Sequence, residues 1–202
     1  MKLLKSITLL SLCASILLAA PKEEKVETPA ELQKTELQKT IEIGESTSKL
    51  LIQTLGKNLK EHMSKGDVMG ALKFCSDKAY ALTGEVNSQL PHGVTSKRIS
   101  LKNRNPANAP KENEAKILES FESLRDLNVA MPEYLVEKVA NKTYKFYKPI
   151  MIADNACLEC HGKVSKDIDL QREITRVYPL DKAVDYKLND LRGAVVVTIT
   201  HE

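Results

Sequence analysis

The sequence contains few aromatic residues: no tryptophan, three phenylalanines and six tyrosines in 202 residues. No stretch interleaves basic and aromatic side chains, so the usual signature of nucleic-acid binding is missing and no nucleic-acid partner is expected. Beyond the first twenty residues, no apolar run is long enough to cross a membrane. The length predicts one domain that is large enough to bury a core of its own.

Cysteine is also scarce, with four in the chain. Cys157 and Cys160 stand in a Cys-x-x-Cys-His pattern that ends at His161, which is the attachment signature of c-type haem. In that chemistry two thiols add across the two vinyl groups of the porphyrin, and the histidine gives the iron an axial nitrogen. A zinc site would need a second Cys/His pair, and a redox dithiol needs no histidine here. The motif therefore predicts one covalently bound haem c.

The N-terminus predicts export. Residues 1–20 combine a short basic start, an apolar core and small residues at the end, as a secretory signal peptide does, with cleavage after Ala19 or Ala20. The segment could instead stay uncleaved as a membrane anchor. A lipidated Cys13 is disfavoured because Leu12 precedes it and apolar residues continue past it. Because bacteria attach c-type haem outside the cytoplasm, a periplasmic location is expected.

Cys75 is left over once the signal peptide and the haem have taken the other cysteines. It lies among the apolar positions of a predicted helix that begins after Asp67, a fair N-cap, and reaches Val86. An unpaired cysteine in an oxidising compartment needs an explanation. It is either a small buried apolar residue or a ligand.

The remaining patterns place helices first and strands last. They predict a charged flexible linker over 21–44, helices over 50–63 and 112–130, strands over 94–101, 141–153 and 188–200, a loop over 164–169, and a strand or short helix over 170–177. This order predicts an α+β fold with an antiparallel sheet, in a single domain over 45–202.

Five short motifs occur together in this domain: Phe74-Cys75-Ser76, Arg98-Ile99-Ser100, Arg104-Asn105-Pro106-Ala107-Asn108-Ala109-Pro110, the haem motif through Gly162, and Arg192-Gly193-Ala194. Together they resemble a family of extracytoplasmic mono-haem c domains with a PAS-like fold, which also occur as sensory modules of kinases and cyclases. The loop that starts at Arg104 is the most specific of the five. The resemblance covers roughly 45–202 and implies a central antiparallel sheet flanked by helices, with one covalent haem.

The resemblance also implies an iron-ligand set: His161 on the proximal side and Cys75 on the distal side. Other distal candidates remain: Met63, Met69, Met131, Met151, His92 and His201. Arg98 and Arg104 are candidates to hold haem propionates, since a guanidinium pairs bidentately with a carboxylate, although they could equally be surface arginines that stabilise a loop. Iron with six ligands has no vacant position for a substrate, so we do not expect an enzyme.

Two roles fit a haem held in this way. The first is one-electron transfer in the periplasm with a redox partner protein. The second is a haem-based redox or gas sensor that acts through a separate signalling partner. Fold does not decide between them.

Overall fold

The computed structural model of the protein describes residues 29–202, with side chains from Thr35 onward. In this range the chain forms six α-helices, four strands and two short 3-10 turns. The helices are α1 (Pro29–Ser64), α2 (Val68–Asp77), α3 (Ala79–Ser88), α4 (Glu112–Asp126), α5 (Asn155–His161) and α6 (Ile168–Val177). The strands are β1 (Val94–Ile99), β2 (Leu135–Ala140), β3 (Thr143–Met151) and β4 (Leu191–Thr200), and the turns are Pro106–Asn108 and Val164–Lys166.

The four strands make one antiparallel sheet in the order β1-β4-β3-β2. β4 lies inside the sheet and is rich in β-branched residues, which suit a strand that is paired on both sides. β2 and β3 are joined by a two-residue turn in which Lys142 has a positive φ of 56°. The last strand of the chain is thus the central support of the fold.

Both faces of the sheet are covered by helices. Val195 and Val197 of β4 point to the side of α1 and α3, whereas Val196 packs with Phe121 of α4 on the other side. This alternation follows from the two-residue period of a strand. Gly44 lets α1 lie close against the sheet, because a Cβ at this position would overlap the ring of Phe146.

The α+β fold class with a central antiparallel sheet is confirmed. Residues 29–44 are helical rather than a linker, so the predicted boundary at 45 falls inside α1. The helix is held there because buried Thr40 hydrogen-bonds with His201 (2.7 Å) and the Tyr144 hydroxyl donates to Glu36 (3.1 Å).

Other elements differ in detail. The helix predicted from Asp67 to Val86 is two helices, which meet at Lys78. Asp67 does cap the first, since its side chain accepts from the amide of Gly70 (2.7 Å). Residues 168–177 are helix, capped by Asp167, and β2 was not predicted.

In the part of the chain that the structure describes, no helix has the length and apolar character needed to cross a bilayer. The predicted signal peptide and Cys13 lie outside the described residues, so the export prediction stays a prediction.

Candidate cofactor site

The Cys-x-x-Cys-His motif forms a short helix, α5, directly after β3. Asp154 caps it, because its carboxylate accepts from the backbone N–H of Cys157 (3.3 Å). At 3.6 residues per turn, Cys157, Cys160 and His161 lie on one side of this helix. The helix that Asp154 caps therefore presents two thiols and one imidazole on the same side.

These side chains line an open cleft that encloses about 770 Å³ when its mouth is included. A second cavity of about 760 Å³ adjoins it, and the two share residues that include Cys157, His161 and Arg192. Cofactor sites are typically concave and mostly apolar clefts with a few polar groups, as this one is. The cleft is also lined by Leu59, Met63, Ala71, Leu72, Cys75, Ala79, Tyr80, Arg98, Arg104, Asn105, Asn108, Ala156, Cys160 and Tyr178.

His161 is held in one tautomer. Its Nδ1–H donates to the backbone carbonyl of Ala183 (2.9 Å), and its Nε2 lies 3.5 Å from the Nε of Arg192, as an acceptor. Burial, together with Arg192 and Arg104, holds the pKa of His161 well below its ordinary value. The imidazole is therefore neutral at pH 7, and the lone pair of Nε2 is available to a metal.

The described cysteines are all free thiols, and all three line the cleft. Burial raises the pKa of Cys160 to about 11, although Arg104 opposes this. Burial also raises the pKa of the Cys75 thiol, against the attraction of Arg98, Arg104 and Arg192. Without a metal nearby, both groups are thus protonated at neutral pH.

The other proposed distal ligands are spread over the molecule. Met63 lines the cleft and Met151 lines the adjoining cavity. Met131 packs in the core beneath α4, Met69 and His92 are exposed, and His201 is bonded to Thr40. The choice of Cys75 stays a prediction, with Met63 as its nearest rival in the same cleft.

The two arginines predicted to hold propionates lie in the cleft in different situations. In the described part of the chain, the guanidinium of Arg98 has no hydrogen-bond or ion-pair partner, and burial lowers its pKa. The guanidinium of Arg104 already bonds Asp181 and the carbonyls of Cys160 and Ala183. Both assignments stay predictions. Among the described residues, all donors of the Arg98 guanidinium lack partners, whereas at Arg104 only one terminal nitrogen does.

Arg192 is a site residue that sequence reasoning did not assign. Besides facing His161, it donates to the Ser100 hydroxyl (2.9 Å) and the Lys102 carbonyl (3.2 Å), and it lies 5.5 Å from the centre of the Tyr186 ring. Its only sequence signal was the Arg192-Gly193 motif.

This donor set fits haem c. Two thiols and a neutral imidazole are grouped beside apolar walls, and a guanidinium with free donors is present for a carboxylate. By contrast, within residues 29–202 no three His, Cys, Asp or Glu side chains are grouped as ligands for a bare metal ion.

A family model named Tll0287-like matches residues 35–200. The chain belongs to this family. The family resemblance that the sequence motifs predicted is thereby confirmed.

A solved structure supports the fold. The crystal structure of the cyanobacterial haem-protein Tll0287 superposes with a TM-score of 0.53 and 20% sequence identity, covering 87% of this chain and 98% of that chain. No match is found among curated proteins. At this identity the superposition shows the shared fold and no more.

Proposed function

We propose that the protein is an exported c-type cytochrome that carries single electrons in the periplasm. One observation supports this most directly: the unprotonated Nε2 of His161 lies in the same cleft as the two motif thiols. The solved structure that shares its fold is that of a haem-protein. On this proposal, the chain binds one haem c and exchanges electrons with a separate redox protein.

Each residue of the motif has a defined role. The thiols of Cys157 and Cys160 would each hold the porphyrin through a thioether, made when the S–H adds across a vinyl double bond, with the hydrogen on the second vinyl carbon and no net oxidation. His161 would bind the iron through Nε2, in the tautomer that Ala183 fixes. When bound, haem supplies a one-electron iron couple.

Cys75 is the proposed second axial ligand, and it would bind as the thiolate. Since burial raises the pKa of this thiol, deprotonation needs the metal as well as the neighbouring arginines. A thiolate ligand stabilises ferric iron, so the reduction potential should be low. With both axial positions filled, the site favours electron transfer over catalysis on a bound substrate.

A second candidate function is a redox or gas sensor. Met63 lines the same cleft as Cys75. Two sulfur ligands, a neutral thioether and an ionisable thiol, are therefore available in one cavity. A distal ligand that can be replaced is what a sensor needs. Such a sensor would act through a separate signalling partner.

The test is expression of the full chain with a haem c maturation system and its own signal sequence. The expected product is a periplasmic protein with one haem that remains attached on a denaturing gel. A Cys157→Ser/Cys160→Ser variant should lose attached haem, while Ser76→Ala serves as a control on an exposed hydroxyl bonded within α2. Unattached haem in the parent would refute the proposal.

Exposure of the reduced protein to carbon monoxide and nitric oxide separates the two roles. A carrier keeps its absorption spectrum with both gases, because its distal ligand stays in place. Rapid binding of either gas, with loss of the sulfur ligand, would favour the sensor.

A further inference from the structure

Arg104 is bound to the segment that holds the axial histidine. Its side chain is 10% exposed, and its Nε and one terminal nitrogen both contact Asp181 at 3.1 Å. The same terminal nitrogen donates to the carbonyl of Cys160 (2.6 Å) and to that of Ala183 (3.0 Å). The Nε and this terminal nitrogen are thus committed to the protein, while the other terminal nitrogen has no partner among the described residues.

The carbonyl of Ala183 is shared by two donors. It accepts from Arg104 and from the Nδ1–H of His161 (2.9 Å). Asp181 completes the arrangement, because one carboxylate oxygen contacts Arg104 while the other accepts from the N–H of Ala183 (2.8 Å). Arg104, Asp181 and Ala183 therefore form a closed network that fixes the oxygen on which His161 depends.

Further bonds hold the same segment in place. The N–H of Tyr186 donates to the His161 carbonyl (2.9 Å), and the N–H of Lys182 donates to the Asn103 carbonyl (3.2 Å). Tyr186 also contacts the imidazole edge-on, with 6.1 Å between ring centres. Residues 181–186, which we call the proximal loop, are thereby joined to both the haem motif and the Arg104 loop.

We propose that Arg104 is a positioning residue for the axial histidine, acting through Asp181 and the Ala183 carbonyl. The inference rests on the proposed function, in which His161 binds iron. Arg98 differs in this respect, since its guanidinium has no such partners among the described residues.

The expected effect follows from what the Nδ1–H bond does to the imidazole. A hydrogen bond from Nδ1–H to a carbonyl makes the imidazole a stronger donor to the metal and so stabilises ferric iron. If Arg104 no longer holds the Ala183 carbonyl, the hydrogen bond from His161 to that carbonyl weakens. Ferric iron is then stabilised less, so the reduction potential rises. Removing a nearby positive charge would shift the couple in the opposite direction, because a cation disfavours ferric iron.

Arg104→Lys separates these two effects, since it keeps the positive charge but loses the planar guanidinium that bonds Asp181 and the two carbonyls together. In the haem-loaded protein we expect a rise in the reduction potential, seen as at least a threefold larger ratio of reduced to oxidised haem at the parent's midpoint. Arg172→Lys, at an exposed arginine outside the cleft that pairs with Asp169 on α6 (2.9 Å), is the control and should leave this ratio unchanged. An unchanged ratio in Arg104→Lys, or an equal rise in Arg172→Lys, would overturn the inference.

Asp181→Asn provides a second variant if Arg104→Lys does not fold. It keeps Arg104 and removes the charge that aligns it. Because loss of a carboxylate raises the potential by itself, this variant is judged by the His161 tautomer in the haem-free protein, where a mixed population is expected and the parent's ratio would contradict the proposal. If the parent protein carries no haem, it is the proposed function that has failed. The positioning role can then be measured by ¹⁵N NMR of the haem-free protein. The Nδ1–H tautomer of His161 should dominate in the parent, and both tautomers should be populated in Arg104→Lys. Equal tautomer ratios in the two proteins would refute the positioning role.

Discussion

Glu114 offers a sharp test of the energetics of the fold. This carboxylate is 1% exposed and accepts from Lys97 and Lys145, both at 2.8 Å, and from the N–H of Lys111 at 2.9 Å. Burial alone would raise the pKa of Glu114, but the hydrogen bonds from Lys145, Lys97 and Lys111 outweigh it and lower the pKa from 4.5 to about 2. The charged form thus ties α4 to β1 and β3.

The size of the effect follows from linkage. A pKa that is lower in the folded state gives stability that is full above the unfolded pKa and is lost as pH falls towards the folded pKa. At about 1.4 kcal/mol per pKa unit, the ionised carboxylate contributes about 3 kcal/mol at pH 7. The same relation leaves about 1 kcal/mol at pH 3.

The assay is urea unfolding of the parent and of Glu114→Gln between pH 7 and pH 3. The difference in the free energy of unfolding should shrink by about 2 kcal/mol over this range, since only the parent loses the ionised group. Glu112→Gln, on the exposed side of α4 and paired with Lys116, should change stability by no more than about 0.5 kcal/mol at either pH. A difference that stays constant with pH, or that shrinks equally in the control, would refute the reasoning.

Two further substitutions test the packing and the iron ligand. Gly44→Ala should lower the free energy of unfolding by about 1–3 kcal/mol, because the new methyl group overlaps Phe146. Gly56→Ala is the control in the same helix. Because the space around Gly56 is open, this change should raise the free energy of unfolding by about 0.5–1 kcal/mol. Equal effects in urea unfolding would contradict this account of α1. Cys75→Ser should shift the ferric Soret band and raise the reduction potential, since a thiolate would be lost. If neither changes in absorption and redox titration, Cys75 is not the ligand.

The sequence predicted the elements with strong local patterns. β4 has a run of β-branched residues that tertiary contacts only reinforce, and the Asp67 cap is local chemistry. β2 was not predicted because Leu135–Ala140 forms the edge of the sheet and its residues do not alternate between buried and exposed. The break at Lys78 has no proline or glycine to mark it, so it depends on packing rather than on local propensity.

The residues predicted for the candidate site lie together in the structure, whereas the residues that support them were not predicted. Cys75, Cys157, Cys160, His161 and the two predicted arginines all line one cleft. What the patterns could not show is which donors were already in use. Whether a guanidinium has free N–H groups depends on the distant segment around Asp181, which no spacing rule connects to Arg104.

The oxygen that orients His161 belongs to the backbone of Ala183, and this has a consequence for how the site can change over evolutionary time. No point mutation can delete a main-chain carbonyl, so the side chain at 183 is free to vary among residues small enough for a fully buried position. Comparison of related sequences would therefore show a limit on side-chain size, but no fixed residue type, at the very position that sets the imidazole. Constraint would fall instead on the length of the proximal loop, where one inserted or deleted residue moves the carbonyl out of reach.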